Sequence, residues 1–167
     1  MRITTRLLIG VALLVIAVDQ IIKLIVSSAL PLGGAWSPLA GPNPLFQIIH
    51  AANTGVAFGL FKDLGPIFII VPLIVSGVIL IYARRLPDTQ RFMAFALGFM
   101  LGGALGNVID RVRVGYVIDF FDVGLGALRN ASNVADWCIV LGVILLAIAM
   151  WREERPAQLG GDVRPSA

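Results

Sequence analysis

Cysteine and histidine are nearly missing from this chain, which has one of each in 167 residues, Cys138 and His50. A lone thiol excludes an intrachain disulfide, and one His and one Cys in separate regions supply no zinc-ligand spacing. Cys138 lies in an apolar run with no histidine beside it, which argues against a cysteine nucleophile. A serine triad built on Ser132 and His50 has no nucleophile-elbow motif to support it. Charge is scarce as well. Only 14% of residues are Asp, Glu, Lys or Arg against 58% hydrophobic, and the mean hydropathy is +0.91. That balance excludes an ordinary water-soluble fold. The net charge of +3 forms no basic stripe, so nucleic-acid binding has no footprint. No internal repeat is visible, which leaves an inverted-repeat transporter without support.

Four long apolar runs are present: Leu7 to Val26, Ile67 to Ala83, Phe92 to Ile109 and Val134 to Trp151. Each approaches the roughly 20 residues needed to cross a hydrocarbon core of about 30 Å. They predict an all-α membrane protein, a four-transmembrane-helix bundle, forming a single domain over residues 1–155 with a disordered tail from Pro156 to Ala167. The first run, preceded by Arg2 and Arg6, also has the outline of a cleaved signal peptide, but Asp19 and Lys23 interrupt the region such a peptide keeps apolar. Arginines cluster at Arg2 and Arg6, at Arg84, Arg85 and Arg91, and at Arg152, Arg155 and Arg164, which predicts cytoplasmic termini. The segment from Ser27 to Pro66, whose one basic residue is Lys62, then faces outward together with the connection from Asp110 to Asn133. A short strand or interfacial segment is expected near Leu45 to Ile49, giving a small extracytoplasmic loop or β region. Gly98, Gly102 and Gly106 recur every four residues and predict a smooth face for a neighbouring helix.

Ionisable residues inside a span are costly and usually face the bundle interior with a partner. Asp19 and Lys23 lie one turn apart, and the plain reading is an internal ion pair. Asn107, Asp110 and Arg111 end the third span, Asn133 and Asp136 begin the fourth, and Asp119 lies between them. Taken singly, Asn133 with Asp136 is a helix cap, Asp110 with Arg111 an interfacial pair, and Asp119 and Asp122 loop acids. Six of the ten acidic residues (Asp19, Asp63, Asp110, Asp119, Asp122, Asp136) nevertheless converge at one membrane face. With thiol, triad and zinc chemistry unsupported, two carboxylates sharing a proton remain the reactive arrangement. Spacing alone does not prefer Asp119 over Asp110.

Five segments in order resemble the bacterial lipoprotein signal peptidases, or signal peptidase II: Asp19-Gln20-Ile21-Ile22-Lys23, Asn53-Thr54-Gly55-Val56-Ala57-Phe58, Gly102 to Arg111, Val117-Ile118-Asp119-Phe120 and Asn133-Val134-Ala135-Asp136. The resemblance implies an aspartic endopeptidase of the bacterial inner membrane, with no metal or cofactor. It would cut diacylglyceryl-modified prolipoproteins just before the lipidated cysteine. It assigns catalysis to Asp119 and Asp136, with Asp19, Lys23, Asn53, Gly55, Asn107, Asp110, Arg111 and Asn133 in support. The expected partners are prolipoprotein substrates and membrane lipid. One departure from the family pattern is Ser132, where Phe is common. Two rivals remain. A proton-coupled carrier should offer a polar path to both faces, but the inner halves of the spans are apolar. A non-enzymatic assembly factor would use the glycine face and charge pairs for binding.

Overall fold

Each apolar run forms a helix: α1 at Ile3–Ala29, α2 at Ile67–Ala83, α3 at Arg91–Val114 and α4 at Val134–Leu159. The computed structural model describes residues 2–38, 44–55, 66–126 and 128–159, with side chains as far as Arg152. α1, α3 and the first 19 residues of α4 are long and apolar enough to cross a bilayer, whereas α2 is apolar but only 17 residues long. α4 continues through Pro156 to Leu159, so the backbone stays helical beyond the predicted boundary. Residues 160–167 of the expected tail lie outside the described residues, as do Val56 to Phe58, Lys62 and Asp63.

Burial is inverted relative to a water-soluble protein. α1 hides Thr4, Asp19 and Lys23 completely while Leu13, Leu14, Ile21, Leu24 and Ile25 are exposed. A hydrocarbon surround favours this arrangement, with charges turned inward and apolar side chains outward. α3 is the central helix, with α1 and α4 packed along it and α2 alongside. Gly98 and Gly102 meet α1. A Cβ on Gly102 would sit 2.7 Å from Val15 Cβ and 2.8 Å from the Ala12 carbonyl, so only glycine permits this approach. Gly106, the third of the series, faces the Asp19 carboxylate and Ala135 instead. At the arginine-rich end, Leu8, Ile79, Ala83, Leu86, Leu97 and Leu101 close an apolar core.

The chain is not all-α. Strands β1 (Ala35–Trp36), β2 (Phe46–Asn53), β3 (Val117–Leu125) and β4 (Leu128–Ser132) form one antiparallel sheet in that order. β2 extends four residues past the anticipated strand, and a β3–β4 hairpin replaces most of the connection read as a loop. Acids at 119 and 122 resemble loop residues in sequence, yet both are buried in β3. Asp122 accepts Gln47 Nε2 from β2 at 2.7 Å and Arg129 Nε from β4 at 2.6 Å, fastening three strands together.

A bulge in β2 sets the geometry at the bundle. Ile48 pairs with Phe121, but three residues on, Ala51 pairs with Asp119, only two residues back along β3. The extra residue reverses which face the end of β2 presents. Asn53, opposite Val117, thereby shares a sheet face with Asp119.

Candidate active site

Lys23 anchors the polar cluster where α1, α3 and α4 meet β3. Its fully buried ammonium lies 2.7 Å from Asp19 Oδ2 and 2.7 Å from Asp110 Oδ2, and it donates to Asn107 Oδ1 at 3.2 Å. Three acceptors exhaust its three N–H groups. Asp19 also reaches across to α4, where its Oδ1 accepts the Ala135 N–H at 3.0 Å. Asn133 Oδ1 accepts the next amide, Asp136 N–H, at 2.9 Å. Two of the otherwise unpaired amides at the start of α4 are thus satisfied, one from α1 and one by its own cap. Asp110 is saturated likewise: besides Lys23, it accepts Ile118 N–H at 3.1 Å and Gln20 Nε2 at 2.9 Å.

Asp119 and Asp136 are held differently. Asn53 Nδ2 donates to Asp119 Oδ2 at 2.9 Å, Asn133 Nδ2 to Asp119 Oδ1 at 2.6 Å, and Asn107 Nδ2 to Asp136 Oδ1 at 2.8 Å. In each asparagine the carbonyl is occupied by a donor of fixed identity: Gly55 N–H for Asn53, Asp136 N–H for Asn133 and Lys23 for Asn107. Those donors fix which end of each amide points where, so all three NH2 groups face a carboxylate. Gly55 completes its turn at φ +76°, a conformation that favours glycine, and a Cβ there would press on the Phe68 ring at 3.2 Å. Among the described residues neither Asp119 nor Asp136 forms an ion pair, whereas Asp19, Asp110 and Asp122 all do. Burial raises the Asp119 carboxyl above the ordinary carboxylate range. The Asn53 and Asn133 amides offset part of that rise, the charge of Asp136 adds to it, and Lys23 opposes it.

A family model described as Signal peptidase (SPase) II matches residues 11–152. The chain belongs to the signal peptidase II family. It is 41% identical over 159 residues to the lipoprotein signal peptidase of Geobacter sulfurreducens, covering 93% of this chain and 98% of that one. It is 35% identical over 158 residues to the lipoprotein signal peptidase of Pseudomonas syringae pv. tomato, covering 89% and 88%. A solved bacterial membrane enzyme superposes with a TM-score of 0.75 at 27% identity, covering 96% of this chain and 94% of that one. As a member of this family, the chain is a multi-pass bacterial membrane protein and an aspartic peptidase that removes signal peptides from prolipoproteins.

Against the family pattern, the predicted residues assemble with one rearrangement. Asp19, Lys23, Asn53, Asn107, Asp110, Asn133, Asp119 and Asp136 form one hydrogen-bonded system, and the Asp19–Lys23 ion pair and the Asn133 cap expected from spacing are both present. Asp110 does not pair with Arg111. It takes Lys23 and, at 3.9 Å, Arg113. The Arg111 guanidinium lies 5.6 Å from the centre of the Phe68 ring, and its Nε is buried with no hydrogen-bond partner among the described residues. His50 and Ser132 do not form a triad. His50 Nδ1 lies 2.9 Å from the Leu30 carbonyl, and Ser132 Oγ accepts Trp137 Nε1 at 3.0 Å, which gives this departure from the family pattern a packing role. Gln20 joins the site although it is not among the predicted residues: its amide bridges Asp19, Asp110 and the Gly106 carbonyl, and a glutamine beside Asp19 within an apolar span is the sequence signal for it.

Proposed function

We propose that Asp119 and Asp136 are the catalytic pair that cuts diacylglyceryl-modified prolipoproteins just before the lipidated cysteine. The observation that carries this reading is that these two acids are held by neutral amides, while Asp19 and Asp110 share the Lys23 ammonium. An ammonium in contact with a carboxylate favours its charged form more strongly than neutral amides do, so the acids facing amides are the better placed to exchange a proton. Asp119, raised by burial, carries the proton in the resting pair, and Asp136, in the first turn of α4, serves as the base. Asp136 takes a proton from water as the water oxygen attacks the scissile carbonyl, and Asp119 gives its proton to the developing oxyanion. The tetrahedral intermediate then collapses. The C–N bond breaks, the leaving nitrogen takes the proton from Asp136, and Asp119 recovers its own.

The remaining residues serve this pair. Asn53, Asn107 and Asn133 orient the carboxylates, and Asp19, Lys23 and Asp110 hold α1, α3 and the start of α4 in register. Arg111 borders an apolar cavity of about 220 Å³ between α2, α3 and α4 that Asn107 also lines. A membrane-embedded signal peptide has an apolar surface suited to such walls, and its backbone polar groups need protein partners in lipid. The assembly reads as one domain of four transmembrane helices over residues 1–155 in the inner membrane, with both termini cytoplasmic and the sheet outside. α2 completes the set as a short span, at about 26 Å for 17 residues. Incubating the purified protein with a synthetic diacylated prolipoprotein and mapping products by mass spectrometry tests the reading. A product beginning at the lipidated cysteine is expected. A cut elsewhere, or equal cleavage of the unlipidated peptide, would overturn it.

A further inference from the structure

At the end of the bundle opposite the catalytic pair, α1 and α2 border an open cavity of about 410 Å³ lined by Arg2, Thr5, Ile9, Leu80 and Arg84. We propose that this cavity binds the headgroup of an anionic phospholipid, with the acyl chains leaving along Ile9 and Leu80.

The lining is graded as an amphiphile would require. Ile9 is seven residues beyond Arg2 along α1, about 10 Å deeper, and Leu80 lies one turn below Arg84 in α2. The rim is therefore cationic and the wall toward the bilayer centre apolar. At about 30 Å³ per water the space equals roughly a dozen water molecules, enough for a phosphate with its glycerol. The position of Arg2 is fixed by the protein, because Nη1 donates to the Arg85 and Leu86 carbonyls at 2.9 and 2.8 Å. Among the described residues Nε and Nη2 have no hydrogen-bond partner and are left for a ligand. Thr5 Oγ1 donates to the Ala83 carbonyl at 3.1 Å, which joins the cavity walls and leaves its oxygen able to accept.

Neither Arg2 nor Arg84 forms an ion pair among the described residues, and the nearby Asp88 turns Oδ1 to Thr4, which donates to it through its N–H at 3.3 Å and its hydroxyl at 3.4 Å. Two guanidiniums at the mouth of an apolar-walled cavity between membrane helices match a phosphodiester on a lipid. A free anion would leave the apolar wall unused.

Native mass spectrometry of the full chain released from detergent, titrated with phosphatidylglycerol or with phosphatidylcholine of the same acyl chains, tests this. One phosphatidylglycerol adduct should survive activation that strips phosphatidylcholine. Retention should weaken about fivefold in Arg84→Gln and about 25-fold in Arg2→Gln/Arg84→Gln. Arg6→Gln/Arg91→Gln removes the same charge from exposed positions outside the cavity and should leave retention unchanged. Because Arg2 also holds backbone carbonyls, Arg84→Gln alone guards against a folding defect, and the thermal midpoint of each variant is measured. Equal losses in both pairs would reduce the effect to bulk charge, and full retention in a folded Arg84→Gln would reject the site. Displacement by inorganic phosphate would assign it to a free anion and overturn the lipid reading. Each outcome is independent of the catalytic pair, which remains intact in every variant.

Discussion

At the scale of single residues, what faces each carboxylate divides the acids of the polar cluster into those paired with a cation and those held by neutral amides. Asp19 and Asp110 share one buried ammonium, so removing it should be severe. Lys23→Met leaves the buried Asp19 carboxylate without a cation and Asp110 with only Arg113 at 3.9 Å, and is expected to cost about 3–5 kcal/mol in unfolding experiments in micelles. Adding Asp19→Asn and Asp110→Asn should recover most of that loss. Asp119 gives a pH prediction with a definite sign. Burial raises its carboxyl, so the alkaline limb of the kcat/KM profile, where the shared proton is lost, should lie above the ordinary carboxylate range. The Asn53 amide favours the charged form, so Asn53→Ala should move that limb to still higher pH. A limb that stays put or falls would remove Asp119 from the proton-carrying role. The sequence could not make this distinction, because Asp110 and Asp119 differ in their partners and not in their spacing.

Among the elements, the helices were legible and most of the sheet was not, for a physical reason. Long apolar runs mark α1 to α4 unambiguously, and the four-residue glycine spacing in α3 correctly announces a close neighbour. β3 carries its acids on buried positions, so the alternation that reveals a half-buried strand is absent from Val117 to Leu125. The β2 bulge, which brings Asn53 to the face of Asp119, leaves no mark in sequence at all. Helix contact yields its own test. Gly102→Val would drive a side chain into Ala12 and Val15 of α1 and should cost about 1–3 kcal/mol, read as a lower thermal midpoint in micelles. Gly77→Ala in α2, where a Cβ meets nothing within 4 Å, should be neutral or stabilising. Equal effects at both positions would contradict the close α1–α3 approach.

For the whole molecule, the polar system lies at one end of the bundle and most of the described arginines at the other, with apolar side chains turned outward between them. Single cysteines introduced at Arg84 and Arg113 in a Cys138→Ser background should react with an impermeant thiol reagent from opposite sides, position 113 from outside. Labelling of both from one side would reject the topology. Cleavage should persist in chelators, because the carboxylates of the pair face amides and the one His and one Cys lie in different elements. Loss of turnover on metal removal, restored by adding metal, would contradict a carboxylate-only reaction. The most direct measurement determines lipidated-substrate binding and turnover separately in Asp119→Asn and Asp136→Asn. Both variants should fold and bind substrate, while turnover falls by at least about 10²-fold, the low end of what a positioned acid or base contributes. Near-parental turnover in either well-folded variant would exclude Asp119 and Asp136 as the catalytic pair.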